Sequence, residues 1–322
     1  MSDRHASRTH STSVALGRLP AAEVDAGTNI VLTARVSCLD GCDLRGLIVN
    51  VVAPDGAVVT GGELGDFADR ANETAELTFT APREVGEYLW TVVFPKQDAE
   101  GLVHEEASLP IAVNTLAHDT SLAVWGVPSP IVMDESFRIH VGVTCSAGCD
   151  LTGEELQIED GTGACVARGK LGETPWEGTR ALYWTEVGLI APAEEGPASW
   201  SVRFAPTELR LPHDGASARF GCETVRPAEH SITIRVLQKD AGTPVPDAQI
   251  RVGVYFGYSN PKGLATVAVP RGTYSLDVLK TGYTALSQVV DVKGDVIVDV
   301  EVEVIPRENP DAYWLFDPTK RV

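Results

Sequence analysis

Hydrophobic and polar residues alternate with a period of two along several short stretches of this chain. Every second residue from Ile30 to Cys38 is apolar, and the same alternation runs from Phe137 to Cys145. Because the side chains of a β-strand point alternately to its two faces, both stretches predict half-buried strands whose last cysteine faces a core. No stretch shows a sustained helical period, so the sequence predicts an all-β protein.

The first two-thirds of the chain contain two copies of one unit. Residues 38–46 read Cys-Leu-Asp-Gly-Cys-Asp-Leu-Arg-Gly, and residues 145–153 read Cys-Ser-Ala-Gly-Cys-Asp-Leu-Thr-Gly. Further along, a Trp-x-Val-x-Phe strand begins at Trp90 in the first copy and at Trp200 in the second. Short strands separated by Gly and Pro turns, in units of about 100 residues, predict β-sandwiches.

The strand rhythm and the core tryptophans of both copies resemble bacterial immunoglobulin-like or fibronectin-III-like domains. Residues 230–304 form a third unit with the order Pro-Val-x-Asp-Ala, Gly-x-Ala, Val-Pro-x-Gly-x-Tyr and Lys-x-Gly-Tyr. That order resembles the carboxypeptidase regulatory-like domain, a transthyretin-like sandwich of seven strands. The resemblance implies an accessory folding or interaction module rather than a catalytic one.

The expected fold is therefore three consecutive β-sandwiches, two immunoglobulin-like and one transthyretin-like, between short flexible termini. The expected ranges are a disordered tail at 1–19, the two immunoglobulin-like copies at 20–116 and 117–227, the carboxypeptidase regulatory-like unit at 228–305, and a tail with an aromatic cluster at 306–322.

Two Cys-x3-Cys pairs, Cys38 with Cys42 and Cys145 with Cys149, leave three interpretations open. Each pair either closes a small disulfide loop or is its reduced equivalent, consists of simple buried thiols, or serves metal or redox chemistry. The spacing is not a good zinc pattern, and a redox pair favours Cys-x2-Cys beside a helix. We therefore expect no metal site.

Two further cysteines, Cys165 and Cys222, occur only in the second copy, where the first copy has Val58 and Val113. Replacing valine by cysteine fits a small core residue or a disulfide between strands. All six cysteines are thus candidates for disulfide bonds.

The chain carries 26 basic and 45 acidic residues, a net charge of −19. Such a surface repels phosphates and anionic headgroups, so neither nucleic acid nor membrane insertion is expected. The first twenty residues lack the apolar stretch of a signal peptide, which predicts a cytoplasmic location, with non-classical export to the cell surface as the alternative.

Motifs for catalysis are missing from the sequence. It has no Gly-x-Ser-x-Gly, no His-Glu-x-x-His and no Gly-rich phosphate loop, and its seven histidines are scattered. We therefore predict no enzyme activity and no catalytic, cofactor-binding or metal-binding residue.

Aromatic residues are the remaining candidates for binding. The C-terminal segment carries a cluster that either docks on the protein's own sandwich or binds a partner: Tyr313, Trp314, Leu315 and Phe316. Trp176, Tyr255 and Tyr258 form a ligand platform if they are exposed and fill sandwich cores if they are not.

These patterns favour a non-catalytic structural or adaptor protein that binds another protein of unknown identity. Two alternatives stay open: a carbohydrate-binding or adhesion module at the cell surface, and an accessory subunit of an enzyme complex.

Overall fold

The computed structural model describes residues 9–99, 101–206, 209–284 and 286–305. In these ranges every regular element is a β-strand. No helix long and apolar enough to cross a membrane is found there. Buried hydrophobic residues gather into three separate cores that follow one another along the chain. The expected all-β fold of three successive β-sandwiches is confirmed.

The first copy places two layers of strands around its core. Its strands are β1 Thr9–His10, β2 Thr12–Arg18, β3 Glu23–Asp25, β4 Asn29–Cys38, β5 Ile48–Val52, β6 Val58–Ala68, β7 Ala71–Thr74, β8 Leu77–Thr80, β9 Gly86–Phe94, β10 Gln97–Ala99, β11 Leu102–His104 and β12 Ala107–Leu116. One layer pairs β2, β4 and β8, the other runs β6-β5-β9-β12-β3, and β7 links the layers through β4 and β6. A small sheet, β1-β11-β10, lies beside them.

The second copy repeats this arrangement. Its strands are β13 Thr120–Trp125, β14 Ile131–Val132, β15 Ser136–Cys145, β16 Glu155–Asp160, β17 Cys165–Lys170, β18 Tyr183–Ile190, β19 Gly196–Phe204 and β20 Ala216–Val225. They form the sheets β13-β15-β18 and β14-β20-β19-β16-β17. Phe137 and Trp200 meet edge to face across this core at 5.5 Å, and in the first copy Phe79 and Trp90 pack at a tilt with their ring centroids 4.7 Å apart.

The third unit has seven strands. They are β21 His230–Gln238, β22 Gln249–Val252, β23 Tyr255–Tyr258, β24 Leu264–Val269, β25 Gly272–Leu279, β26 Leu286–Val292 and β27 Val296–Val302. Three of them form the sheet β24-β21-β27 and four form β23-β22-β25-β26. The first strand, β21, is central in its sheet, and its Ile232, Ile234 and Val236 are fully buried.

The expectation of a disordered N-terminal tail is wrong for residues 9–18. Strand β2 pairs antiparallel with β4, and its Val14 and Leu16 pack against the first core. Strand β1 pairs in parallel with β11. The segment reads as polar because only every second residue is apolar, yet a neighbouring strand supplies its hydrogen bonds.

The expected C-terminal tail, with Tyr313, Trp314, Leu315 and Phe316, lies outside the described residues, and so do residues 1–8. The interpretation of that aromatic cluster stays a prediction.

Candidate metal centres

Each immunoglobulin-like copy brings two cysteines and two histidines together. Within each group the four ligand atoms all lie within 4.8 Å of one another. The first centre consists of His10, Cys38, Cys42 and His104, and the second centre of His118, Cys145, Cys149 and His213.

The cysteines converge because a strand ends in a tight turn. In the first copy β4 ends at the buried Cys38, and the amide of Gly41 donates to the Cys38 carbonyl at 3.0 Å. Gly41 has a φ of +76°, a conformation that disfavours residues with a side chain. This turn returns the chain so that Cys42 faces Cys38, and Gly148 makes the same turn in the second copy with a φ of +68°.

The histidines converge because two distant segments pair in parallel. His10 is paired with His104 between β1 and β11, and His118 forms an isolated parallel bridge with His213. The imidazole centroids are 5.6 Å apart in the first centre and 4.8 Å apart in the second. Each pair therefore presents two rings side by side to the cysteine turn.

Imidazole nitrogens point directly at the sulfurs. His10 Nδ1 lies 3.1 Å from Cys42 Sγ and 3.8 Å from Cys38 Sγ. In the second centre His118 Nδ1 lies 3.0 Å from Cys149 Sγ and 3.6 Å from Cys145 Sγ. The close agreement of these two pairs of distances shows that the local geometry is duplicated with the fold.

In the second centre, one hydrogen bond to each imidazole fixes the tautomer of that histidine. His118 Nε2 donates to the Ala26 carbonyl at 2.7 Å, and His213 Nδ1 donates to the Leu211 carbonyl at 2.8 Å. In neutral imidazole the other nitrogen then carries a lone pair, which leaves His118 Nδ1 and His213 Nε2 as acceptors. Protein ligands to metals are usually oriented by this kind of outer hydrogen bond.

Several of these nitrogens have no partner among the described residues. His104 is 1% exposed, and neither of its ring nitrogens has a hydrogen-bond partner there. His213 Nε2 is buried and unpartnered as well. Burial, with the nearby His10 contributing, lowers the pKa of His104. Leaving such a group unsatisfied costs about 1–3 kcal/mol, and a cation bound to the lone pair removes that cost.

The donor set favours one kind of ion. Two sulfurs and two imidazole nitrogens within 4.8 Å of one another suit a tetrahedral zinc ion, whereas calcium and magnesium require oxygen ligands. Burial, with Cys38 contributing, raises the pKa of Cys42 to about 11. Burial, with Cys145 contributing, raises the pKa of Cys149 to about 12. A metal bound to these thiols displaces their protons, as zinc does in structural sites.

The same geometry argues against a cysteine nucleophile. Reactive cysteines have a lowered thiol pKa, usually beside a positive charge or a helix N-terminus. Here burial raises the pKa of Cys42 and of Cys149, and the Nδ1 atoms of His10 and His118 each lie near two sulfurs. The arrangement is therefore better suited to holding an ion than to attacking a substrate.

All six cysteines, the candidates for disulfide bonds, are free thiols in this structure. Both Cys-x3-Cys pairs adopt the reduced alternative. A bridge between Cys165 and Cys222 is excluded, because β17 and β20 are separated by β16 and β19. Three strand spacings amount to about 14 Å, whereas a disulfide needs Cα atoms within about 7 Å.

The structure thus brings together side chains that could hold a metal ion, where the sequence led us to expect no metal site. Sequence reasoning identified both cysteine pairs but missed the four histidines. A signal was present: the step along the chain from His10 to His118, and from His104 to His213, nearly equals the step from Cys38 to Cys145. The histidines look scattered along the whole chain, but they occupy nearly equivalent positions once the sequences of the two copies are aligned.

The expected ligand platform is divided between two units. Trp176 packs edge to face against Trp125 and Trp184, with ring centroids 4.9 and 4.8 Å away. Tyr255 packs against the third core, and burial raises its pKa to about 12. Tyr258 is 61% exposed on β23. Of the three residues, only Tyr258 presents most of its side chain to solvent.

Comparisons with known proteins indicate only broad likeness. No family model matches the chain, and no curated protein matches it. Among solved structures it is similar to the major pilin subunit BcpA of Bacillus cereus, at 11% identity, a TM-score of 0.23 and coverage of 92% of this chain and 100% of that one.

Two other solved structures show a similar degree of likeness. The ICAM-5 D1–D4 ectodomain fragment has 14% identity, a TM-score of 0.30 and coverage of 87% of this chain and 74% of that one. The Escherichia coli adhesin FdeC has 16% identity, a TM-score of 0.24 and coverage of 88% of this chain and 97% of that one. At these TM-scores the matches carry no argument about function.

Proposed function

We propose that this chain is a non-catalytic structural or adhesion-type protein in which one zinc ion fastens each immunoglobulin-like copy. One observation carries the proposal: a complete set of two cysteines and two histidines recurs in both copies, with closely similar distances between the sulfurs and one imidazole. A group repeated in geometry between two copies of a fold serves that fold, and four protein ligands leave no open position for a substrate.

Zinc would fasten each sandwich at one end. In each copy one cysteine is the last residue of β4 or β15 and the other follows in the turn, and the histidines come from segments that precede and follow most of the copy. An ion bound to all four closes a loop of nearly the whole copy, which restricts the unfolded chain far more than the folded one.

The third unit and the cysteine chemistry support the rest of the proposal. Seven strands in sheets of three and four agree with the resemblance to carboxypeptidase regulatory-like domains, and we propose that this unit binds a partner protein. Phe256 and Tyr258, 57% and 61% exposed on β23, are its most accessible aromatic residues within the described ranges. Thiol ligands require a reducing compartment, which favours the cytoplasm.

The test is the zinc content of the full chain, purified under reducing conditions and measured by elemental analysis. We expect two zinc ions per chain, one after Cys42→Ser or Cys149→Ser, and none after both. Cys165→Ser and Cys222→Ser provide matched controls, because they remove cysteines outside the centres and should retain two ions.

Cobalt substitution identifies the ligands independently. A cobalt(II) ion bound to two thiolates and two imidazoles should show the ligand-field absorption of a tetrahedral site. A chain that retains no metal, or one whose metal content falls equally with Cys165→Ser and Cys42→Ser, would refute the proposal.

A further inference from the structure

We infer that the second centre is also the joint between the two immunoglobulin-like copies, so that zinc bound there fixes their relative orientation. This inference rests on the proposed function, because it requires a metal ion at the second centre.

One imidazole contacts both copies. His118 lies in the connection between β12, which ends at Leu116, and β13, which begins at Thr120. Its Nδ1 faces the thiols of the second copy, 3.0 Å from Cys149. Its Nε2 donates at 2.7 Å to the carbonyl of Ala26 in the first copy. His118 is 1% exposed and Ala26 is fully buried, so this bridge is shielded from water.

The other ligand-bearing segments of the second centre also touch the first copy. Ser146, next to the ligand Cys145, donates its hydroxyl to Asp25 at 3.0 Å. A Cβ atom built on Gly27 would lie 3.2 Å from the methyl carbons of Leu211, so the bare backbone of Gly27 rests against this side chain. The carbonyl of the same Leu211 orients His213.

The first centre has different surroundings, although its ligands are the same. The residue that corresponds to Ser146 is Leu39, which is 82% exposed. The residue that corresponds to Ala147 is Asp40, whose carboxylate lies 3.5 Å from His10 Nδ1 and whose side chain is 61% exposed. The two centres thus share chemistry but differ in what they touch, which makes the first a control for the second.

A coordination bond at His118 Nδ1 fixes the position and plane of the ring, and therefore also fixes the direction of its Nε2 hydrogen bond to Ala26. Without the ion the ring keeps only its hydrogen bond to Ala26 and its thiol contacts, and the segment 117–119 is the covalent connection between the strands of the two copies. Loss of zinc should then broaden the range of orientations between the copies.

Small-angle X-ray scattering of the full chain tests this inference under reducing conditions. With zinc present, the wild type and Cys42→Ser should give the same narrow pair-distance distribution, whereas Cys149→Ser should give a broader one. Elemental analysis should show one lost ion in each variant. Near-ultraviolet circular dichroism, to which the tryptophans of the second copy contribute most, reports whether that copy remains folded.

A double variant covers the case in which Cys149→Ser unfolds the second copy. It combines Ser146→Ala with Leu211→Ala, which keeps all eight ligands but loosens the contact with the first copy. Because coupling between two events is reciprocal, the second centre should then bind zinc at least about fivefold more weakly in chelator competition, with the first centre unchanged. Ile139→Val, a core change away from both centres, should alter neither zinc affinity nor scattering.

The outcomes separate the two proposals. If Cys149→Ser loses one zinc ion and keeps its fold and the wild-type scattering, the joint is refuted while the zinc sites stand. Unchanged zinc affinity in the double variant would refute it too, as would broadened scattering in Ile139→Val. If no variant loses zinc, the proposed function itself fails.

Discussion

Withdrawal of zinc should destabilise the two immunoglobulin-like copies and leave the third unit unchanged. The outer ligands of the first centre, His10 and His104, enclose most of the first copy, and His118 and His213 enclose most of the second. Closing a loop of about 100 residues by a cross-link is worth up to about 4.7 kcal/mol in the chain-entropy model. Zinc at about a thousand times its dissociation constant gives a similar figure, about 4.1 kcal/mol.

For a domain of about 100 residues, about 1 kcal/mol corresponds to about 4–8 °C in Tm. We therefore expect chelation to lower the melting transitions of both copies by about 15–40 °C. The third unit, in whose described residues no such cluster is found, serves as an internal reference within the same molecule.

Differential scanning calorimetry of the full chain, with zinc and with a chelator, provides the measurement. His104→Ala should remove most of the zinc-dependent shift of the first copy, because three ligands remain but the long loop is open. Equal shifts of all three transitions, or a zinc-dependent shift in His104→Ala as large as in the wild type, would refute the loop-closure argument.

Two further predictions concern the second copy and the third unit. A Cβ on Gly142 would lie 2.7 Å from Leu182 and 3.1 Å from Trp125, so Gly142→Val should lower the stability of the second copy by about 1–3 kcal/mol through overpacking. Urea unfolding followed by the tryptophan signal of that copy measures this loss, and an unchanged free energy of unfolding would contradict the prediction. Burial raises the pKa of Tyr255 from its ordinary value of 10.0 to about 12. The stability linked to this shift is therefore fully present below pH 10.0 and is lost as the pH rises to about 12. Denaturant unfolding across that interval should show a shallower loss of stability in Tyr255→Phe than in the wild type, and identical slopes would contradict the assignment.

The alternating strands could be predicted from the sequence because their burial is local. The pattern from Ile30 to Cys38 requires only that one face of a strand be apolar, and β4 is buried at those positions. The core positions of Trp90 and Trp200 followed from the same reasoning and are confirmed. Because the unit is duplicated, each of these predictions had to hold in both copies, which made it stronger.

The metal centres could not be predicted from spacing alone. His10 lies well before Cys38 in the chain, and His104 lies farther still beyond Cys42. Their meeting depends on the parallel pairing of β1 with β11, and β1 is only two residues long. Sequence periodicity does not detect a strand of that length, so the sequence alone predicts a disordered tail for this segment and gives no role to its histidine.

The order of the ligands along the chain has a consequence for synthesis on the ribosome. The first three ligands of the first centre, His10, Cys38 and Cys42, emerge early, and the fourth, His104, emerges only when most of the copy has been made. An ion captured by three ligands can therefore be enclosed only by a copy that is nearly complete. Domains generally fold in turn from the N-terminus during translation, and β12, the last strand of the first copy, ends at Leu116, just before His118. If the centres hold zinc, we expect the first copy to fold as His118 emerges and to offer it the Ala26 carbonyl as an acceptor while the second copy is still being made.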